Sequence, residues 1–319
     1  MREHLWAYGN RIEVFGPGGQ FLQSRLENPL SPIIRKIVHN TLIFVYNWGV
    51  TRFEQYLDGL LARGRDSFSV ADARAALRLP RPAFDAAAKR LKKKRLLARP
   101  YRNFFLILRP EDRAAGAPDP IRWIDALMSR IGVDYRVSLL KAAAIHGSSH
   151  QASMVFQVIV PKQLRPIEIG RHRIQFLSQK PEYFKALNVP GRLTQFKSSS
   201  GFVNAAGIEL TILDSIRYFH RAAGINGAAQ IAHDLGAKAS PRKLARAAVY
   251  YENAAVRRLG YLFDLFGHKK QAKALLPFAG KAKSMKPLDP SAKSYIRAAR
   301  PRVNRKWMLR LNQAVEIDR

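Results

Sequence analysis

From Thr51 onward the apolar positions fall on helical spacing: Phe53, Tyr56, Leu57, Leu60 and Leu61 form one stripe at i, i+3, i+4, i+7 and i+8, and Gly64 follows as a stop. Ser69 suits the N-cap of a second helix, Val70 to Leu77, and Leu79-Pro80-Arg81-Pro82 makes a turn that ends one helix and opens the next. The spacing predicts a third helix from Ala83 to Lys94 with Phe84, Ala87, Ala88 and Leu91 facing inward. Arg81, Asp85, Lys89, Arg90, Lys92 and Lys93 are left on or near its open face. Leu96-Leu97-Ala98 and Phe104 to Leu108 are strand-like runs on either side of Arg99-Pro100-Tyr101-Arg102-Asn103, a turn cluster with two cations. Three short helices and a hairpin follow the order of a winged helix-turn-helix, whose third helix enters the major groove of DNA while the wing touches the backbone beside it.

Glu111 to Pro120, with Gly116 and Pro118-Asp119-Pro120, reads as a linker. Beyond it an amphipathic helix carries Trp123, Ile124, Leu127, Met128 and Ile131, and Tyr135 to Ile145 is a helical run ending at His146-Gly147. Met154 to Val160 is a strand by composition, Ile167-Gly170 with Arg173-Phe176 a hairpin, and Phe202 to Ala205 a further strand. Glu209 to His220 and Ala228 to Leu235 return to helix, Ser240 caps a long helix from Pro241 to Gly267, and Trp307 to Asn312 reads as a closing strand. The predicted class is mixed α/β (α+β): a winged helix-turn-helix over residues 51–110, a linker at 111–120, and an α/β domain with a short central sheet over 121–319. Each side of the linker is expected to own a core. Residues 1–50 show no sustained period and are expected to be an extension, disordered in part or the product of a start assigned too far upstream. They do not read as a signal peptide, and the densest apolar patch of the region, Thr41 to Tyr46, is far short of the ~20 residues that span a bilayer.

Charge sharpens this picture. The 319 residues hold 55 Lys+Arg against 23 Asp+Glu, a net +32, while 47% hydrophobic content argues against a mostly disordered polycation. A folded protein with so basic a surface attracts polyanions, nucleic acid first and an anionic membrane surface second. Residues 51–110 alone carry 15 basic and 5 acidic residues. The tail from Lys269 has 14 against 3, which suits either a solvated surface or a second polyanion contact. In the third helix Arg81, Lys89 and Arg90 are the candidates for base contacts, because bidentate arginine to guanine is the commonest specific contact. Lys92, Lys93, Arg99 and Arg102 are assigned to phosphates, which set affinity and register.

Catalytic chemistry finds little support. The absence of cysteine removes disulfides, thiolate zinc sites, iron-sulfur clusters and cysteine nucleophiles, and fits a reducing cytoplasm. His146 and His150 lie four apart, yet Gly147 stands where zincin chemistry needs a glutamate. Gly147-Ser148 lacks the closely spaced carboxylates that hold magnesium in a nucleotidyltransferase, and Gly16 to Gly19 lacks the Lys and Ser/Thr of a phosphate-binding loop. No metal, cofactor or catalytic residue is assigned.

The stretch Tyr135-Arg136-Val137-Ser138-Leu139-Leu140-Lys141-Ala142-Ala143-Ala144-Ile145-His146-Gly147 resembles the helix that opens the antitoxin domain of the AbiEi family, with Phe156-Gln157-Val158 as the strand after it. The resemblance continues through Glu209, Thr211, Leu213 and Asp214, then Arg257, Leu259, Gly260, Tyr261 and Leu262, and ends with Trp307 and Asn312. Upstream, Arg99-Pro100 and Phe104 to Pro110-Glu111 look like that family's wing and its exit. Roughly residues 51–319 are covered. The chain departs in having Gly207-Ile208 where the family has Ser/Thr-Pro, and the first 50 residues have no counterpart. The resemblance implies a non-enzymatic antitoxin of a type IV toxin-antitoxin system that is also an autorepressor. Its winged domain would bind inverted repeats in double-stranded promoter DNA, and its second domain would counter a nucleotidyltransferase-type toxin, with or without direct contact. The residues by themselves leave open a winged-helix regulator of other genes with a ligand-sensing second domain, and an RNA-processing enzyme.

Overall fold

The computed structural model describes residues 5–8, 11–15, 21–22, 51–148, 155–292 and 302–317. The chain divides into two compact units, Met1–Gln55 and Tyr56–Arg319. In the first, β1 (Leu5–Tyr8), β2 (Arg11–Phe15) and β3 (Phe21–Leu22) form an antiparallel meander. The region therefore contains strands where the sequence showed no period, because runs of four, five and two residues are too short to display one.

Helix α1 (Arg52–Ala62) buries Phe53, Leu57 and Leu60, and Gly64 takes φ 71° just past its end. β4 (Ser67–Ser69) leads into α2 (Val70–Leu77), whose first turn is capped as expected: Ser69 Oγ accepts the Asp72 amide at 3.1 Å. Then come α3 (Arg81–Lys93), β5 (Leu97–Tyr101) and β6 (Phe104–Ile107), and the three strands pair antiparallel in the order β4-β6-β5. β4 was missed in the sequence; three residues leading directly into a helix give no alternation to read.

The central strand β6 has no solvent face. Phe105 stacks on Phe68 at 5.6 Å and meets Phe84 edge-on at 5.9 Å, tying the sheet to α3. Its neighbours Phe104, Leu106 and Leu108, with Ala98, belong to a core built around Trp123, Ile124, Leu127, Met128, Val137 and Val158. The expectation that each side of the linker owns a separate core is thus not met, because one strand serves both. Polar contacts reinforce the junction. Asp66, beside β4, accepts from Arg109 Nε at 3.0 Å, Arg122 Nε at 2.7 Å and Ser200 Oγ at 2.6 Å, and Arg122 also pairs with Asp112 at 2.9 Å. Burial pushes the Asp66 carboxyl up, but the bonds from Arg122 and Ser200 and the charges of Arg122 and Arg109 outweigh it and hold its pKa below the usual carboxylate value.

After α4 (Ile124–Ile131) a six-stranded sheet forms in the order β11-β12-β7-β8-β10-β9. Its strands are β7 (Arg136–Val137), β8 (Val155–Val160), β9 (Ile167–Ile169), β10 (His172–Ser178), β11 (Leu193–Ser198) and β12 (Gly201–Ala206). β8 pairs with β10 and β12 with β7 in parallel, while the other neighbours are antiparallel. Alternation along β8 sends Val158 and Val160 into the core shared with β6, and Ile159 to a second cluster with Leu139 and Phe184. The helices α5 (Leu139–Ile145), α6 (Pro181–Leu187), α7 (Ile208–Arg217), α8 (Gly224–Gly236), α9 (Pro241–Ala248), α10 (Asn253–Leu265) and α11 (Lys269–Gly280) enclose most of a third, largely helical core that includes Leu213, Leu235, Leu259 and Phe263.

Two helical runs read from the sequence are broken. Tyr135 to Ile145 splits into β7 and α5, because Arg136 is drawn into the interior as a strand residue. Pro241 to Gly267 splits into α9 and α10 at Val249–Glu252, where Tyr251 turns inward to donate to Asp214 at 2.7 Å. The basic tail opens with α11, then joins a small sheet of β13 (Lys286–Pro287), β14 (Arg302–Asn304) and β15 (Leu309–Leu311).

Trp307 is fully buried against α10, its Nε1 donating to Asp264 at 2.6 Å. A Cβ on Gly260 would lie 2.1 Å from the Trp307 ring. Gly260→Ala is therefore expected to lower the stability of the full chain by about 1 to 3 kcal/mol through overpacking, with partial recovery in a Gly260→Ala/Trp307→Leu double variant. Urea unfolding of the three proteins checks this, and an unshifted midpoint for the single variant contradicts it.

Candidate nucleic-acid interface

Phe84, Ala88 and Leu91 anchor α3, and their burial fixes the roll of the helix. Arg81, Asp85, Lys89, Arg90, Lys92 and Lys93 are exposed, as the spacing predicted. Lys89, Arg90, Lys92, Lys93 and Arg102 have no carboxylate partner among the described residues. They form a cationic surface whose charge no carboxylate among the described residues neutralises.

Arg81 behaves differently. Its Nε pairs with Asp85 at 2.9 Å and its Nη2 donates to Asn103 Oδ1 at 3.3 Å, so it bridges the start of α3 and the hairpin tip. Arg99 is also not where the turn cluster suggested. It lies within β5, its guanidinium 5.8 Å from the centroid of the Phe105 ring, and the tip itself falls at Arg102 and Asn103. Asn103 takes φ 59°, and its carbonyl accepts the Val70 amide at 3.1 Å, fastening the tip to the first residue of α2. Asn103 and the exposed Tyr101 belong to this surface and were not singled out in the sequence. An Asn at a tight turn was the available signal for the first. Lys92 lies about 16 Å along the helix from Arg81, at the end remote from the tip.

The residues considered for metal chemistry are engaged otherwise. His146 Nε2 lies 2.7 Å from the Ala206 carbonyl, Gly147 ends α5 at φ 82°, and Ser148 Oγ donates to Asp234 at 2.8 Å. His150 lies outside the described residues. Among the described residues no cluster of three or more His, Asp or Glu could hold a metal ion.

The second polar centre is buried. Asp214 accepts from Arg136 Nε and Nη2, both at 3.0 Å, from Ser138 Oγ at 2.8 Å and from Tyr251 OH. Both ion-pair partners are fully enclosed, and Gln179 Oε1 takes a further bond from Arg136 at 2.9 Å. Burial, with the nearby Asp214 charge, pushes the Tyr251 phenol well up, and burial raises Tyr218 to about 12. The network joins β7, α7 and the α9–α10 break.

Residues 136–265, from Arg136 through this network to the last residue of α10, match the family model described as the AbiEi antitoxin C-terminal domain. Over this stretch, rather less than half of its length, the chain is similar to the AbiEi antitoxin domain. The buried Arg136–Asp214 pair and Gly260 both lie within the matched stretch, and Trp307, which packs on Gly260, lies beyond it. Among solved structures, the RV2827C protein from Mycobacterium tuberculosis is similar in fold, with a TM-score of 0.57 and 14% identity over 82% of this chain and 91% of that one. No curated protein matches the sequence. Among the described residues, no helix of the protein is long and apolar enough to cross a membrane.

Proposed function

We propose that this protein is the antitoxin of a type IV toxin-antitoxin system and a DNA-binding autorepressor. Residues 51–110 act as a winged helix-turn-helix on promoter inverted repeats in the cytoplasm. The AbiEi domain counters a nucleotidyltransferase-type toxin, and the protein itself performs no catalysis. The observation that carries the DNA reading is the α3 surface: Phe84, Ala88 and Leu91 are turned inward, and Lys89, Arg90, Lys92 and Lys93 are exposed without carboxylate partners among the described residues. A cationic helix face beside a hairpin whose tip carries Arg102 suits groove entry with flanking phosphate contact.

The geometry divides the roles of these residues. Lys89 and Arg90, exposed in mid-helix, are free to reach base edges, whereas Arg81 serves chiefly to hold the tip. In mobility-shift titrations, Arg90→Ala is expected to reduce discrimination between promoter and random duplex by about 1 to 3 kcal/mol. Arg102→Ala should weaken both equally and flatten the log-affinity against log-salt slope by about 1. Unchanged promoter binding in Lys89→Ala, Arg90→Ala and Arg102→Ala alike would place the DNA face elsewhere. The antitoxin role is tested by co-expression with the adjacent toxin gene, with growth restored only when this protein is present.

A further inference from the structure

A cleft of about 390 Å³ opens where the end of α3, the linker and the β9–β10 turn meet, and it is lined by Lys92, Arg95, Arg113 and Arg171 with no carboxylate among its walls. All four side chains are exposed, and none has an ion-pair or hydrogen-bond partner among the described residues. Of the neighbouring acids, Asp112 pairs with Arg122 and Glu168 with Arg173, while Glu111 is exposed outside the cleft lining. Four like charges around one hollow repel each other, and only solvent and salt offset that repulsion.

The cleft is also held in shape by backbone. Arg171 N donates to Ala115 O at 2.8 Å. A Cβ on Gly170 would sit 2.1 Å from that same carbonyl, and one on Gly116 would sit 2.9 Å from the Gly170 Cα. Both glycines have positive φ, 56° at Gly170 and 77° at Gly116. Linker and turn therefore touch backbone to backbone, and this contact fixes the spacing of Arg113 and Arg171 before anything binds. The volume lies in the range of small-ligand sites, roughly 300 to 1,000 Å³. Buried Leu97 and Leu108 supply an apolar strip in the wall.

We propose that this cleft binds the oligophosphate group of a small molecule. Three guanidiniums and one ammonium complement several negative charges at close range, and the planar fork of arginine matches phosphate oxygens in pairs. Lys92 belongs to both the cleft and α3, so an occupant draws on a cation of the proposed DNA surface.

The test is isothermal titration of the full-length protein with inorganic triphosphate at ~150 mM salt, where weak surface binding is screened. One saturable site per chain is expected. Arg113→Gln/Arg171→Gln should weaken it at least about tenfold. Arg242→Gln/Arg246→Gln, removing the same charge from exposed positions on α9 that have no ion pair among the described residues, should leave it unchanged. Thermal melts confirm that both double variants are folded. Should the glutamine pair melt early, Arg113→Lys/Arg171→Lys replaces it, with weakened but measurable binding expected. Absence of a saturable site, or equal losses in the two double variants, overturns the proposal. It is equally overturned if triphosphate does not bind while the Arg113/Arg171 variant loses affinity for duplex DNA, since the cleft would then be a contact for the DNA backbone.

Discussion

Replacing Asp214 with alanine is expected to cost about 3 to 5 kcal/mol of folding free energy, because it strands a fully buried guanidinium. Among the described residues Arg136 would keep the bond to Gln179 and the face of the Phe184 ring, 5.6 Å away, and Ser138 and Tyr251 would lose their shared acceptor in the same step. Domains of this size are stable by about 5 to 15 kcal/mol, so the loss approaches the whole margin in the less stable cases. Arg136→Met/Asp214→Leu should be far less damaging than either single change, since a buried ion pair replaced by apolar groups often loses nothing. The measurement is urea unfolding of wild type, both single variants and the double. If Asp214→Ala unfolds within about 1 kcal/mol of wild type, the network contributes little and Arg136 has another route to satisfaction. If the proposed antitoxin role holds, such variants should fail in growth rescue in proportion to lost soluble protein.

A fragment of residues 51–110 is expected not to fold cooperatively. Cutting at the linker exposes Phe104, Leu106 and Leu108, whose core lies largely beyond residue 116. At about 1.5 to 3 kcal/mol for each large apolar side chain returned to water, the three together cost roughly 5 to 9 kcal/mol. A three-helix unit of that length has no such reserve. Asp66 simultaneously loses Arg122 and Ser200, keeping Arg109 alone. Circular dichroism melts and gel filtration should show a broad transition and association for the fragment, against a cooperative transition for the full chain. Phe104→Thr/Leu106→Thr/Leu108→Ser should improve the fragment's solubility and damage the intact protein. A sharp melt from a monomeric, unmodified fragment would refute the shared core.

Local structure was legible where neighbouring residues decide it. The Ser69 cap, the Phe84-Ala88-Leu91 stripe, the Gly147 terminator and the β9–β10 hairpin all follow from contacts within a few positions. What escaped depends on partners far along the chain. Arg136 reads as a helix residue until Asp214, 78 positions away, draws it inward. Tyr251 interrupts a helical pattern for the same carboxylate, which no local signal announces. The cationic surface of α3 was readable because it is the complement of an apolar stripe. Arg81 could not be sorted from Arg90, because Asn103, which occupies it, lies 22 residues on. The linker composition marked a change of direction in the chain, and breakers alone say nothing of which side chains meet across it.

The five residues Phe104 to Leu108 bear on how such a protein can change over generations. Odd and even positions of one short strand answer to different interiors, Phe105 to the rings of Phe68 and Phe84, its neighbours to the company of Trp123 and Val158. A unit like residues 51–110 transplanted from another protein would arrive with one side of that strand suited to its own helices and the other cut for a stranger. An exchange at the linker therefore has to replace the packing of Phe104, Leu106 and Leu108 as well. Substitutions at Lys89, Arg90 and their exposed neighbours touch neither interior, and they leave the surface of α3 free to drift.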